Sequence, residues 1–216
     1  MNIISEFESR LTPGLLEIFR HLSTPSAIQA YLDSFPYIAE ELDRSPLRVM
    51  TDGQAHCLEG GIFAALALAR LGHRPLILDL VPEPGADDDH VLALFQFNGH
   101  WGCIAKSNNV FLRFREPIYR SLRELAMTYF ESYTSTKKQK TLRGYTRPLD
   151  LSPFGPEWMW SEAGIAEISR RFYRRKPIPL ITLDDANRLS LADERFYNAN
   201  TLGTNFEWAF GVRENP

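Results

Sequence analysis

The chain has 216 residues, 44% of them hydrophobic and 24% charged, with 24 basic and 27 acidic side chains and a formal net charge of -3. That is enough chain for one domain, or one domain with an appendage, around a sizeable core. The balance of charge offers no basic excess for nucleic acid, and the longest strongly apolar run, Ile62 to Ala69, is too short to cross a bilayer.

Taken in chain order, "MNIISEFESRL" carries acidic residues early and lacks a continuous apolar stretch, so no signal peptide is expected. Residues 5–22 have apolar positions at helical spacing, interrupted by "TPG" at 12–14. Pro25, after a Ser23 or Thr24 cap, predicts a helix over about 25–34. Pro36 and Pro46 read as loop punctuation. A central helix is predicted from about 56 to 71, stopping at Gly72. The period then changes to that of strands: "RPLILDLV" (74–81), "HVLALFQF" (90–97) and "WGCIAKS" (101–107), with "PEPGADDD" a loop and "NGH" (98–100) a hairpin turn. "FLRFREP" predicts a fourth extended segment, and 122–133 a helix. After 148 come an irregular aromatic stretch, a helix over 161–173 on a Ser cap, and another over 183–197. The aromatic tail "NTLGTNFEWAFG" is expected to pack on the rest. The basic runs "KKQK" (137–140) and "RRFYRRK" (170–176) read as solvated surface. The elements are segregated rather than alternating, which predicts an α+β fold: a buried central helix on an antiparallel sheet, with flanking helices at both ends. The expected division is a core over 1–148 and a helical, aromatic extension over 149–216 packed on it.

The central helix is apolar on nearly every side from Leu58 to Ala69, so it is expected to be buried all round. Gly60 and Gly61 cost about 1 kcal/mol each against Ala in a helix interior, which makes sense if backbone or substrate comes close to the first turn. Cys57 stands where this helix begins. Two cysteines make no disulfide framework, and a cytoplasmic setting is expected; Cys103, in mid-strand, reads as core. A thiol at a helix N-terminus sees the positive end of the macrodipole, which favours the thiolate, while the free N–H groups of the first turn can face an oxyanion.

A nucleophilic cysteine needs a base, usually histidine, oriented by a third group. Of five histidines, His90 opens a strand beside an acidic loop and is the best placed. His56 adjoins Cys57 and is expected to point elsewhere. Counting from a turn centred near 99, residues around 90 face residues around 107, so Ser107 or Asn108 could hydrogen-bond the far nitrogen of His90. Gln54, three residues before the thiol, could donate to an oxyanion. A zinc site from Cys57, His56 and His90 has poor geometry and no fourth ligand.

These residues resemble the transglutaminase-like branch of the papain-like cysteine enzymes, as a divergent, bacterial-type member. The matching stretches are "HCLEGGIFAALALARLGHRPLIL" and "DDDHVLALFQFNGHWGCIAKSNN", about residues 52–109. The resemblance implies Cys57 as nucleophile, His90 as base, and amide or thioester acyl transfer on a peptide or small amide through an acyl-enzyme. It implies no metal and no cofactor. The family's order is Cys, His, Asp; this chain has "AKSNN" where the carboxylate belongs, which leaves Asn108, Ser107, or a degenerate site that binds a peptide or protein partner.

Overall fold

The computed structural model describes residues 3–38 and 43–209. Its helices are α1 (Ile3–Glu8), α2 (Pro13–His21), α3 (Pro25–Asp33), α4 (Pro46–Asp52), α5 (Cys57–Arg70), α6 (Leu122–Met127), α7 (Glu162–Phe172), α8 (Leu183–Ala186) and α9 (Glu194–Asn200). Its strands are β1 (Leu76–Pro82), β2 (His90–Phe97), β3 (His100–Ile104), β4 (Arg115–Tyr119), β5 (Leu142–Tyr145), β6 (Leu149–Asp150) and β7 (Ile178–Pro179). The class is α+β, as the sequence predicts. No described helix is long and apolar enough to cross a membrane.

Local signals explain most boundaries. Thr12 and Thr24 accept from the N–H groups of Leu15 and Ala27, and Pro13 and Pro25 sit where a helix needs no N–H. The same grammar at Ser45–Pro46 starts α4, where the sequence reading has only loop punctuation. The predicted helix over 183–197 is two helices, because Asp193 accepts from Phe196 N–H and starts α9 inside the run. The helix predicted over 122–133 stops at Met127 and is followed by a 3₁₀ turn at Phe130–Ser132. The hairpin after β2 turns on Asn98 and Gly99, both at positive φ (50° and 79°), with Phe97 opposite His100. This is the two-residue turn whose twist suits an antiparallel pair.

The strands form one antiparallel sheet in the order β4-β3-β2-β1-β5-β7, with β6 also pairing β1. Two of its members, β6 and β7, come from beyond residue 148; both, like β5, escape the sequence reading because each is only two to four residues long. The expected tail packing at 210–211 lies outside the described residues.

Strand alternation divides the chemistry between two faces. Val91, Ala93 and Phe95 face the cluster built on α5, α1, α2, α3 and α7. Leu92 and Leu94 face a second cluster with Leu125, Tyr129, Phe130 and Tyr133. Every residue of α5 from Cys57 to Leu68 is buried.

Gly60 and Gly61 are required by what touches α5. A Cβ at Gly60 would lie 2.3 Å from Lys106 Cβ, and one at Gly61 2.7 Å from Val91 Cγ1. Helix propensity alone would make Gly60→Ala or Gly61→Ala stabilising by about 1 kcal/mol, but overpacking costs ~1–3 kcal/mol and wins. Denaturant unfolding should therefore show both variants less stable than the parent.

Candidate functional site

His56 is the N-cap of α5, its Nδ1 lying 3.4 Å from Leu58 N. Its backbone N–H donates to Glu59 Oε2 at 3.0 Å, completing a reciprocal cap. Glu59 is fully buried, and Arg44 covers it: the Arg44 backbone N–H donates to Oε1 at 2.6 Å and Nη1 lies 3.3 Å from the same oxygen. The other imidazole nitrogen, His56 Nε2, lies 3.0 Å from Asp43 Oδ1 and 3.5 Å from Glu59 Oε1. Burial draws the His56 pKa down, but the bond to Asp43, the Cys57 sulfur and the Glu59 charge outweigh it and hold it at about 10.

Cys57 occupies the first position of α5 and is 7% exposed. Its Sγ lies 4.0 Å from His56 Nδ1, and its thiol reaches the Asp89 carbonyl at 3.8 Å. The Tyr37 side chain lies close enough to the sulfur to affect its ionisation. A parallel bridge between Tyr37 and Ala55 ties the backbone there to the residues just before α5. Burial pushes the Cys57 thiol up; the His56 contact opposes this and does not overcome it. The thiol is therefore held above its ordinary range by burial, opposite in direction to the sequence expectation. His56 Nδ1 has two exclusive roles: a neutral ring accepts from Leu58 N–H, and a charged ring donates toward Cys57.

His90 does not meet Cys57. Its neighbour Val91 packs on α5 at Gly61, so alternation sends the His90 ring to the opposite face, between Tyr129 and Tyr133 with centroids 6.4 Å away. There Nε2 donates to the Leu112 carbonyl at 2.7 Å, and burial draws the pKa down to about 4, so the ring is neutral. His56 takes the place expected for it, because an N-cap residue has extended backbone (φ -101°, ψ -171°) and turns its side chain back over the first turn.

Ser107 and Asn108 do line one cavity with His90, although β3 stops at Ile104, short of the strand predicted to 107. Neither orients the imidazole. Ser107 Oγ accepts from Asn109 N–H at 2.9 Å. Asn108 exchanges two hydrogen bonds with the Asn205 backbone, at 2.8 and 2.9 Å. Gln54 is half-buried in the short connection between α4 and α5. Cys103 is core, its Sγ 3.0 Å from the Tyr129 hydroxyl, and both cysteines are free thiols. The sequence reading misses Tyr37, Asp43 and Glu59, and a second carboxyl pair. Asp79 is 5% exposed with a buried, unbonded Oδ1; burial, then the Asp89 charge, raises it to about 8. Reciprocal capping, with Glu three residues after His56, was the available signal for Glu59.

Among the described residues, Asp43, His56 and Glu59 form one group whose ligand atoms lie within 4.8 Å of one another, as a metal ion requires. The Arg44 guanidinium already supplies a cation to Glu59.

No family model and no curated protein matches the chain. Two solved structures of Legionella pneumophila LapG share part of its course. One, at 12% identity and a TM-score of 0.36, covers 48% of this chain and 70% of that one. The other, EGTA-treated, is also 12% identical, with a TM-score of 0.40 and coverage of 77% and 95%.

Two measurements check this geometry. Alkylation of Cys57 by iodoacetamide at pH 7 should run slower than that of a free thiol and accelerate only above the ordinary thiol range. Asp79 binds its proton more tightly folded than unfolded, so it contributes a loss of stability as pH rises from about 4 toward its folded value of about 8. Asp79→Asn should remove that loss, and melting temperatures of the two proteins between pH 4 and pH 9 should diverge increasingly in favour of the variant.

Proposed function

We propose that the protein is a cysteine-dependent acyl-transfer enzyme acting on an amide or thioester, with Cys57 as nucleophile and His56, rather than His90, as its imidazole. The observation that carries this reading is the line Cys57 Sγ, His56 Nδ1, His56 Nε2, Asp43 Oδ1, with steps of 4.0 and 3.0 Å at the start of a buried helix. It has the roles of a nucleophile, base and orienting carboxylate, and the transglutaminase-like resemblance of the sequence points to the same chemistry.

Cys57 Sγ and His56 Nδ1 share one proton in the reactive form, and Asp43 and Glu59 favour its passage from the thiol to the ring, which leaves a thiolate beside an imidazolium. Sγ attacks the carbonyl, the C–N or C–S bond breaks, and the His56 proton leaves with the departing amine or thiol. Water or an amine then attacks the thioester, returning its proton to His56. Tyr37, the first-turn N–H groups and Gln54 are candidates to face the oxyanion. Peptides and small amides are the substrate class, and no cofactor enters these steps.

One observation favours a second reading, a binding module with an inert thiol: Cys57 is buried and its pKa is raised. Reaction with p-nitrophenyl acetate separates the two. The enzyme reading expects one acetyl group on the Cys57 peptide by mass spectrometry, none on Cys57→Ser, and a rate lower by roughly 10²–10⁴ in His56→Asn, the loss typical of a general base, since Asn keeps a good helix cap. Acetylation that is indifferent to His56 would sink it.

A further inference from the structure

The cavity that holds His90, Ser107 and Asn108 has a volume of about 80 Å³ and opens to solvent. It is lined by Asp87, Asp88 and Asp89, and no lysine or arginine is among its described lining residues. Tyr133, Tyr197 and Trp208 supply aromatic wall.

Two groups face it with acceptor capacity to spare. His90 is 5% exposed and neutral, and Nε2–H is committed to Leu112. Nδ1 therefore carries a bare lone pair with no partner, in a ring that lines the cavity. Asp88, two residues earlier, has an exposed side chain; its backbone N–H donates to Asp87 Oδ1 at 3.0 Å and its carbonyl accepts from the Tyr133 hydroxyl at 2.7 Å, which leaves the carboxylate for a ligand. Asp87 is already bonded to Thr141 Oγ1 at 2.7 Å, and Asp89 turns its carbonyl to Cys57. A neutral imidazole acceptor and a carboxylate ask for a ligand that donates hydrogen bonds and carries positive charge. These ligand atoms do not converge as a metal requires; the group that does is Asp43, His56 and Glu59. Aromatic walls suit the face and stem of an organic cation.

We propose that this cavity is a recognition site for an organic cation, an ammonium or guanidinium group on a short hydrocarbon stem, held by His90 Nδ1 and the Asp88 carboxylate. It does not depend on the acyl-transfer reading, because neither group touches the thiol, although Tyr37 borders both the cavity and Cys57.

The test is calorimetric titration of Cys57→Ser protein with butylammonium, butylguanidinium, butanol, and calcium and magnesium chlorides. Butylammonium or butylguanidinium should bind in the millimolar range or tighter, the comparison telling which head group is preferred. Butanol should bind much more weakly. Asp88→Asn, at an exposed position, should weaken the cation by roughly tenfold, the scale of one charged hydrogen bond. The cation should also shift the His90 imidazole nitrogen signals in NMR spectra, which a purely structural histidine would not show. Equal binding of butanol, unchanged affinity in Asp88→Asn, or binding of the divalent ions alone would overturn the proposal. Carrying out the titration without the thiol keeps its outcome separate from the failure or success of acyl transfer.

Discussion

A helix that is apolar on every side can present chemistry only at its ends, and that constraint organises this protein. Burial of α5 from Cys57 to Leu68 leaves its first turn as the place where polar groups must gather, because the free N–H groups there need partners. Glu59 accepts from the His56 N–H and the neutral form of the His56 ring accepts from Leu58 N–H, and the charge on Glu59, taken wholly out of water, in turn requires Arg44. Asp43 then completes the surroundings of the imidazole. The polar cluster beside Cys57 is thus the cost of burying the helix, concentrated at one point.

The second organising fact is the period of β2. The Asp89 carbonyl, just before the strand, meets the thiol while the His90 ring turns to the other side, so the run "DDDH" borders both the Cys57 cluster and the His90 cavity. Burial raises the affinities of these carboxyls for protons, Asp87 to about 6. Such groups favour a cationic neighbour for the same reason that they resist ionising alone.

Long elements were legible in the sequence. The alternation and length of 90–97, the Asn-Gly turn and the unbroken apolar run of α5 identify themselves because each signal is repeated over several residues. Short ones were not: β5, β6 and β7 exist through pairing with β1 and with one another, and two to four residues carry no period. The site shows the same division. The position of Cys57 at a helix start follows from local pattern. The face that His90 adopts depends on which face of β2 meets α5, a tertiary fact fixed by the contact of Val91 with Gly61. The role of His56 was hidden because residues i and i+1 diverge within a helix, whereas the cap lies just outside it and obeys a different geometry.

The order β4-β3-β2-β1 has a bearing on how the chain comes together. These four strands are neighbours in sequence as well as in space, so they and α5 can assemble as soon as residue 119 has left the ribosome, from short-range pairings that close quickly. Until residues 142–150 arrive, the far side of β1 is an unpaired apolar edge able to template pairing with another chain. The later strands β5 and β6 seal it, and in a truncated or slowly synthesised chain that edge is where aggregation would begin.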